Sequence, residues 1–384
     1  MGKTFHRPEA LAETITHYCP GCTHGVAHRL VAEVIDELGV RGKTVGIAPV
    51  GCAVLMYNYF TFDFQEAAHG RAPAMATGIK RVRPDLVVFT YQGDGDLASI
   101  GMSEIVHAAN RGEKFTVIFI NNAVYGMTGG QVGPTTPHGA RAVTTQYGNF
   151  EHPFNLPYLA AAGGASFVAR WTVIHARRLE WTLRRAMMHP GFSFVEIIVP
   201  CSIAYARWNP EGKGLDPEKL GRRGLEVMKH YQQIGKITKD THPKDASIRV
   251  DQQGAITEIV EGIFIDEAKP EFQDSIHRQA RVAKKRWAAI KKALDERPRL
   301  SRRSDRISRT EVQLGGFGGQ GIVSAGRIIG QAATIYDGLE ASFTQSYGPE
   351  ARGGAAGSQV VIDSNPIHHP HLIEPKSAII MSQE

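Results

Sequence analysis

Between Tyr91 and Gln131 the chain reads YQGDGDLASIGMSEIVHAANRGEKFTVIFINNAVYGMTGGQ, and this stretch limits the fold more than any other. It opens behind an apolar run, Leu86–Val87–Val88–Phe89, that reads as a buried strand. A helical segment is predicted from Ser99 to Ala109, and a second apolar strand from Thr116 to Ile120 ends in Asn121–Asn122. Strand, helix, strand is the parallel βαβ unit, which leaves its two polar loops side by side at the carboxyl ends of the strands. One loop carries Asp94 between two glycines, and the other carries Asn122 and the backbone of Val124.

That pairing suits a hard cation that itself holds a diphosphate. Mg²⁺ takes oxygen ligands in octahedral geometry, commonly one or two from protein and the rest from phosphate and water. Asp94 offers a carboxylate, Asn122 an amide oxygen and Val124 a carbonyl, while Gly93 and Gly95 allow backbone to approach phosphate closely. Two ordinary loops of an α/β sheet are the alternative. GDGD followed by an NN pair whose second Asn lies 28 residues beyond Asp94 favours the ligand site.

The four cysteines need separate treatment. Cys19 and Cys22 form a CxxC inside the Pro/Gly turn THYCPGCTHG, ahead of a helix predicted to run through Leu38. Cys52 follows the short strand Thr44–Ala48 in the sequence PVGC, and Cys201 follows the strand Phe194–Val199 in VPCS. All four thus lie at element ends, where they can converge. Zinc, a [4Fe–4S] cluster or unrelated core thiols all fit the spacing, which is not that of a zinc finger. No preceding strand supports a thioredoxin-like pair.

Other segments are less specific. Ala74–Val82 reads as a helix, with His69–Gly70–Arg71 just before it. Helix amides and a cation could meet an anion there, although a solvated helix start explains it too. Tyr125–Gln131 is too glycine-rich for strand or helix and should wrap a ligand or turn tightly, with Thr135 and Thr136 nearby. Residues 157–200 alternate helix and strand again and complete a doubly wound sheet. From 205 the composition turns polar and basic, and Trp208–Asn209–Pro210 breaks the chain. Ile276, Ala280, Ala283, Trp287, Ile290 and Leu294 then recur at alternating spacings of 4 and 3. They form one apolar stripe on a basic helix, to dock on a partner or on its own domain. Arg297–Arg309 is a charged linker without the interleaved aromatic residues of a nucleic-acid site.

At Glu311 a strand, a glycine loop and a helix begin: EVQLGGFGGQGIVSAGRIIGQAA. Gly316, Gly318 and Gly321 satisfy the dinucleotide spacing GxGxxG. The acidic residue that this fingerprint needs at the end of the second strand is not there: Glu340 precedes the strand predicted at 341–344, and Gln345 follows it. The chain's 384 residues allow two or three domains, divided here as 1–204, 205–310 and 311–384. Its 42% apolar content holds no run near the ~20 residues of a membrane span. The N-terminus lacks a signal-peptide core, so the cytoplasm is expected. The net charge of +6, concentrated late in the chain, does not by itself point to nucleic acid.

In combination these motifs resemble the 2-oxoacid:ferredoxin oxidoreductases. GDG…NN is similar to the thiamine-diphosphate motif, and YGMTGGQ narrows it to this family. YCPGC, the GC loop and the late Pro-Cys look like its four cluster ligands. Residues 12–272 resemble a beta subunit, closest to the branched-chain and 2-oxoglutarate members, and 311–384 resemble part of a gamma domain. That gamma segment, ending in SAIIMSQE, is less than half of such a domain, so a truncated product or fragment is expected. The implied fold is α/β, a doubly wound, mostly parallel thiamine-diphosphate-binding sheet followed by a partial second α/β domain. The resemblance implies thiamine diphosphate against Gly51, Cys52, Ala53, His69, Gly70, Arg71, Gly95, Asp96, Gly126 and Met127. It implies Mg²⁺ on Asp94, Asn122 and Val124, and a [4Fe–4S] cluster on Cys19, Cys22, Cys52 and Cys201. The family reaction converts a 2-oxoacid and CoA to acyl-CoA and CO₂, with electrons passed through the cluster to ferredoxin. No catalytic side chain is assigned here, because the Glu that activates the cofactor belongs to an alpha subunit in this family. An alpha subunit and a ferredoxin-like delta subunit are therefore the expected partners. A non-redox thiamine enzyme leaves the cysteines without a role, and a zinc-stabilised scaffold leaves the Mg²⁺ loops without one.

Overall fold

The computed structural model describes residues 6–209, 220–239, 241–252, 255–296, 306–347 and 354–382. Pro210, most of the basic linker (297–305) and part of the glycine-rich segment (348–353) lie outside them. By its internal contacts the chain divides into two units, Met1–Val282 and Ala283–Glu384.

The first unit opens with α1 (His24–Leu38), β1 (Thr44–Ala48), β2 (Asp63–Glu66), α2 (Ala72–Val82) and β3 (Val87–Gly93). A π-helical turn at Asp96–Ile100 then leads into α3 (Met102–Arg111) and β4 (Thr116–Asn121). A small hairpin follows, β5 (Val124–Tyr125) and β6 (Gln131–Val132), and then α4 (Leu156–Ala162), β7 (Phe167–Thr172), α5 (Ala176–Met188) and β8 (Ser193–Ile198). The remainder is α6 (Leu220–Ile234), β9 (Gly235–Ile237), β10 (Ile248–Val250), β11 (Ile256–Asp266) and the long α7 (Phe272–Asp295), within which the unit boundary falls.

The strands order as β10-β11-β7-β8-β4-β3-β1-β2, with β9 also paired to β11. From β7 to β2 every neighbour pair is parallel, and β11 joins the edge antiparallel to β7. The apolar runs are continuous because both faces are covered. Phe89, Tyr91, Ile118, Ile120 and Ile197 pack beneath α1 and α5, while Val88, Val117, Phe119 and Phe194 pack beneath α2, α3 and α4. The predicted strands and helices of this unit form within a few residues of expectation. β2 was not expected, although Phe60, Phe62 and Phe64 alternate with polar residues, the period of a half-exposed strand.

The start of α7 is held by Arg81, whose guanidinium lies 4.8 Å over the Phe272 ring. Of its apolar stripe, Ile276, Trp287 and Ile290 are exposed.

The second unit contains β12 (Thr310–Phe317), α8 (Ile322–Ile335), β13 (Glu340–Tyr347), β14 (Ala355–Asp363) and β15 (Ser377–Ile380). Its sheet runs β13-β14-β12-β15. β14 is antiparallel to both of its neighbours, and only β15 is parallel to β12. The strand that follows the glycine loop and helix therefore does not lie beside β12, as a dinucleotide-binding βαβ unit requires.

Candidate functional site

Four adjacent parallel strands bring the site together. The segments after β8, β4, β3 and β1 carry Cys201, Asn122 with Val124, Asp94, and Cys52 respectively. Open parallel sheets bind ligands at such carboxyl ends, because the loops diverge there and leave a crevice. The CxxC turn ahead of α1 joins them: Ser202 Oγ donates to Pro20 O at 2.8 Å, tying the Cys201 loop to the turn.

One cavity of about 100 Å³ is lined by Gly51, Cys52, Ala53, His69, Gly93, Asp94, Gly95, Asp96, Asn122, Val124, Gly126 and Met127 among others. Asp94 is 3% exposed. Its carboxylate accepts from the Gly95 amide at 2.9 Å and from the Thr135 hydroxyl at 2.9 Å. Burial pushes its pKa up to about 7, against the pull of those two hydrogen bonds. The donors are neutral, so the buried carboxylate lacks a compensating charge. A divalent cation would supply it, and the donor set of carboxylate, amide oxygen and carbonyl is the hard-oxygen type that Mg²⁺ takes. Asn122 and Val124 are presented by a turn through Ala123, which has φ 64°, a left-handed conformation that non-glycine residues seldom adopt. Gly95 is required by crowding, since a Cβ there would stand 2.0 Å from the Tyr125 ring.

Not every residue expected at the cofactor faces this cavity. Asp96 lines it but is saturated from behind: His69 Nδ1 lies 2.7 Å from Oδ1, the Gly70 amide donates to Oδ1 at 2.7 Å, and Gln92 Nε2 donates to Oδ2 at 2.6 Å. Its evident work is to pin the 69–71 segment so that His69 reaches the wall. Gly70 is absent from the lining and packs on Gly101 with φ 76°. Arg71 is absent from it too; it pairs with Glu104 at 2.7 Å and donates to Ile100 O.

A second cavity, about 210 Å³, adjoins the first. Cys19, Cys22, Cys52 and Cys201 all line it, and His24, Cys52, Asn122 and Gly126 line both cavities. Burial raises the Cys22 thiol to about 11 and the Cys52 thiol to about 12, and it raises Cys201 as well. The four thiols line one space, and a bound metal there would favour their thiolate form. Among the described residues, no three Cys, His, Asp or Glu side chains gather closely enough for a single ion.

His24 was not foreseen. Its Nδ1 lies 2.8 Å from the Tyr91 hydroxyl, Tyr18 stacks on it with ring centroids 4.7 Å apart, and burial lowers its pKa to about 4. Its position directly after CxxCT was the available signal.

Residues 49–197 match the thiamine pyrophosphate enzyme C-terminal TPP binding domain, and residues 311–384 match the pyruvate ferredoxin/flavodoxin oxidoreductase model. The ketoisovalerate oxidoreductase subunit VorA of Methanothermobacter thermautotrophicus is 35% identical over 99% of this chain and 74% of its own length. That alignment therefore runs through both matched segments. The 2-oxoglutarate synthase subunit KorB of Methanocaldococcus jannaschii is 36% identical over 68% of this chain and 91% of its own. Among solved structures, the 2-oxoglutarate:ferredoxin oxidoreductase from Magnetococcus marinus, with 2-oxoglutarate, coenzyme A and succinyl-CoA bound, superposes with a TM-score of 0.60. It is 26% identical, over 77% of this chain and 97% of that one. The chain belongs to the 2-oxoacid:ferredoxin oxidoreductases, as a subunit that carries their thiamine-diphosphate-binding domain.

Proposed function

We propose that this chain holds thiamine diphosphate through Mg²⁺ on Asp94, Asn122 and the Val124 carbonyl, and a [4Fe–4S] cluster on Cys19, Cys22, Cys52 and Cys201. In that state it serves the CoA-dependent oxidative decarboxylation of a 2-oxoacid, with ferredoxin as electron acceptor. When bound, thiamine diphosphate supplies the electron sink for decarboxylation. The chain's own residues would hold and orient it. Asp94 and Asn122 anchor the diphosphate end, Gly95 lets the Tyr125 ring close over the loop, and His69 forms a wall that Asp96 keeps in place. Cys52 is the observation that carries the reading: it lines both cavities, so a residue that would hold the cluster also borders the space that would take the cofactor.

No carboxylate of the chain is assigned to activate the cofactor. An alpha subunit that provides one is the proposed partner, and a ferredoxin-like delta subunit is a second. The 2-oxoacid is of the branched-chain or the 2-oxoglutarate class, the two for which the relatives are named. Among the described residues no helix is long and apolar enough to cross a membrane, and a cytoplasmic setting fits cluster-ligating thiols. Anaerobic purification tests the reading, followed by a visible spectrum and an iron and sulfide assay. The expected result is about four irons per chain with broad absorbance near ~400 nm, lost in Cys52→Ser. Colourless protein with one tightly held zinc would overturn the cluster assignment.

A further inference from the structure

Beside the Asp94–Asn122 pair, a line of buried polar side chains runs from the sheet interior to the Thr135 hydroxyl that stands at Asp94. Arg170 on β7 and Glu196 on β8 are register partners on adjacent strands, 2% and 1% exposed at their side chains. Arg170 Nε donates to Glu196 Oε2 at 2.6 Å, and its Nη1 donates to Ala246 O at 2.9 Å. Glu196 Oε1 accepts from Asn121 Nδ2 at 2.7 Å. That contact orients the amide, since a carboxylate can only accept. Asn121 Oδ1 therefore faces the turn, where the Ala123 amide donates to it at 3.1 Å and Thr135 Oγ1 lies 2.9 Å away. The Thr135 hydroxyl thus has one proton for two acceptors, Asn121 Oδ1 and Asp94 Oδ2, each 2.9 Å away, so the way Asn121 is held bears on what Asp94 receives. The same line clamps the left-handed turn: Asn121 holds the Ala123 amide, and the Thr136 hydroxyl donates to the Ala123 carbonyl at 2.6 Å.

A buried ion pair is a poor source of net stability, and its best-attested use is to fix geometry. Mg²⁺ demands near-ideal octahedral ligands, whereas Ca²⁺ tolerates a looser and larger set. We infer that Arg170, Glu196, Asn121 and Thr135 form a positioning chain that fixes the direction of Asp94 Oδ2 and the turn carrying Asn122 and Val124, and so sets the cation preference of the diphosphate site. The inference rests on the cation–diphosphate reading above. None of the four residues touches the ligand in this reading; each acts through the next.

The test is calorimetric titration of the full chain with thiamine diphosphate in saturating Mg²⁺, Mn²⁺ or Ca²⁺. Thr135→Val keeps the shape and removes the hydroxyl, Thr135→Ser keeps the hydroxyl, and Glu196→Gln loosens the far end. Thr135→Val should bind ~10-fold more weakly with Mg²⁺ but lose no more than ~3-fold with Ca²⁺. Thr135→Ser should recover most of the Mg²⁺ affinity, and Glu196→Gln, if folded, should shift preference the same way as Thr135→Val. The EPR spectrum of Mn²⁺ bound with the diphosphate should broaden in Thr135→Val and not in Thr135→Ser. Wild-type chain that takes up thiamine diphosphate with none of the cations overturns the site reading itself. Wild-type binding with an unaltered cation preference and Mn²⁺ spectrum in Thr135→Val overturns the positioning chain alone, whether or not all affinities fall together.

Discussion

The molecule contains two strand–glycine loop–helix segments, β3–GDGD–α3 and β12–GFGGQG–α8, and the local sequences promise similar things. They end differently. β3 pairs directly with β4, register by register and in parallel, so the next loop in the chain arrives beside Asp94. On the other segment β14 intervenes between β12 and β13, antiparallel to both. The lesson is that a glycine loop at a strand end becomes a two-loop ligand site only when topology sets a second carboxyl end next to it. The surroundings differ as well. Around the first loop the core is extensive on both sheet faces, whereas the buried apolar cluster of the second unit is Leu314, Ile322 and Val360, with a few partly buried neighbours.

The sharpest way to break this comparison is to change one side chain in each loop. Asp94→Asn should weaken Mg²⁺-dependent thiamine diphosphate binding by at least ~100-fold. Gln320→Ala, in the exposed second loop, should leave that binding unchanged by the same calorimetry. Next in size, Arg170→Met would strand Glu196 as a buried unpaired charge. It should cost about 3–5 kcal/mol of stability in urea unfolding, far more than a surface change. The raised pKa of Asp94, from 3.8 to about 7, makes a pH prediction. Between those values the folded apo chain holds a proton that the unfolded chain has lost, so apo stability falls as pH rises across that window. Cation binding must expel the proton. Titrations near pH 6 in buffers of different ionisation heat should therefore show proton release on binding, which disappears above the pKa. Smallest of all, Gly95→Ala must move the Tyr125 ring, for about 1–3 kcal/mol and a several-fold loss of cofactor affinity; Gly315→Ala, whose Cβ would meet nothing within 4 Å, should be near neutral by melting temperature.

Much of this was legible beforehand, for identifiable reasons. GDGD, the NN pair and four cysteines at element ends are chemically rare combinations, and they do converge around two adjoining cavities. The 69–71 segment was legible only as a segment. Its sequence could not show that Gly70 would pack on Gly101, or that Arg71 would turn to Glu104 and leave His69 alone at the wall. Arg170 and Glu196 lie inside FVARWT and FSFVEI, where a charge in an apolar strand gives no hint of its partner on another strand. His24 was one residue of the Pro/Gly turn, with no sign of the Tyr91 hydroxyl it meets.

By itself the sequence determined which atoms could do chemistry and the order of elements that carries them. Periodicity and punctuation are local properties, and they specify strands, helices and loops without reference to distant residues. Only the tertiary structure decided which loops became neighbours, that Cys52 serves both cavities, and that an ion pair in the sheet interior leads through Asn121 and Thr135 to Asp94. Those facts depend on strand order and register, which arise from packing across tens of residues and leave no local trace in the chain.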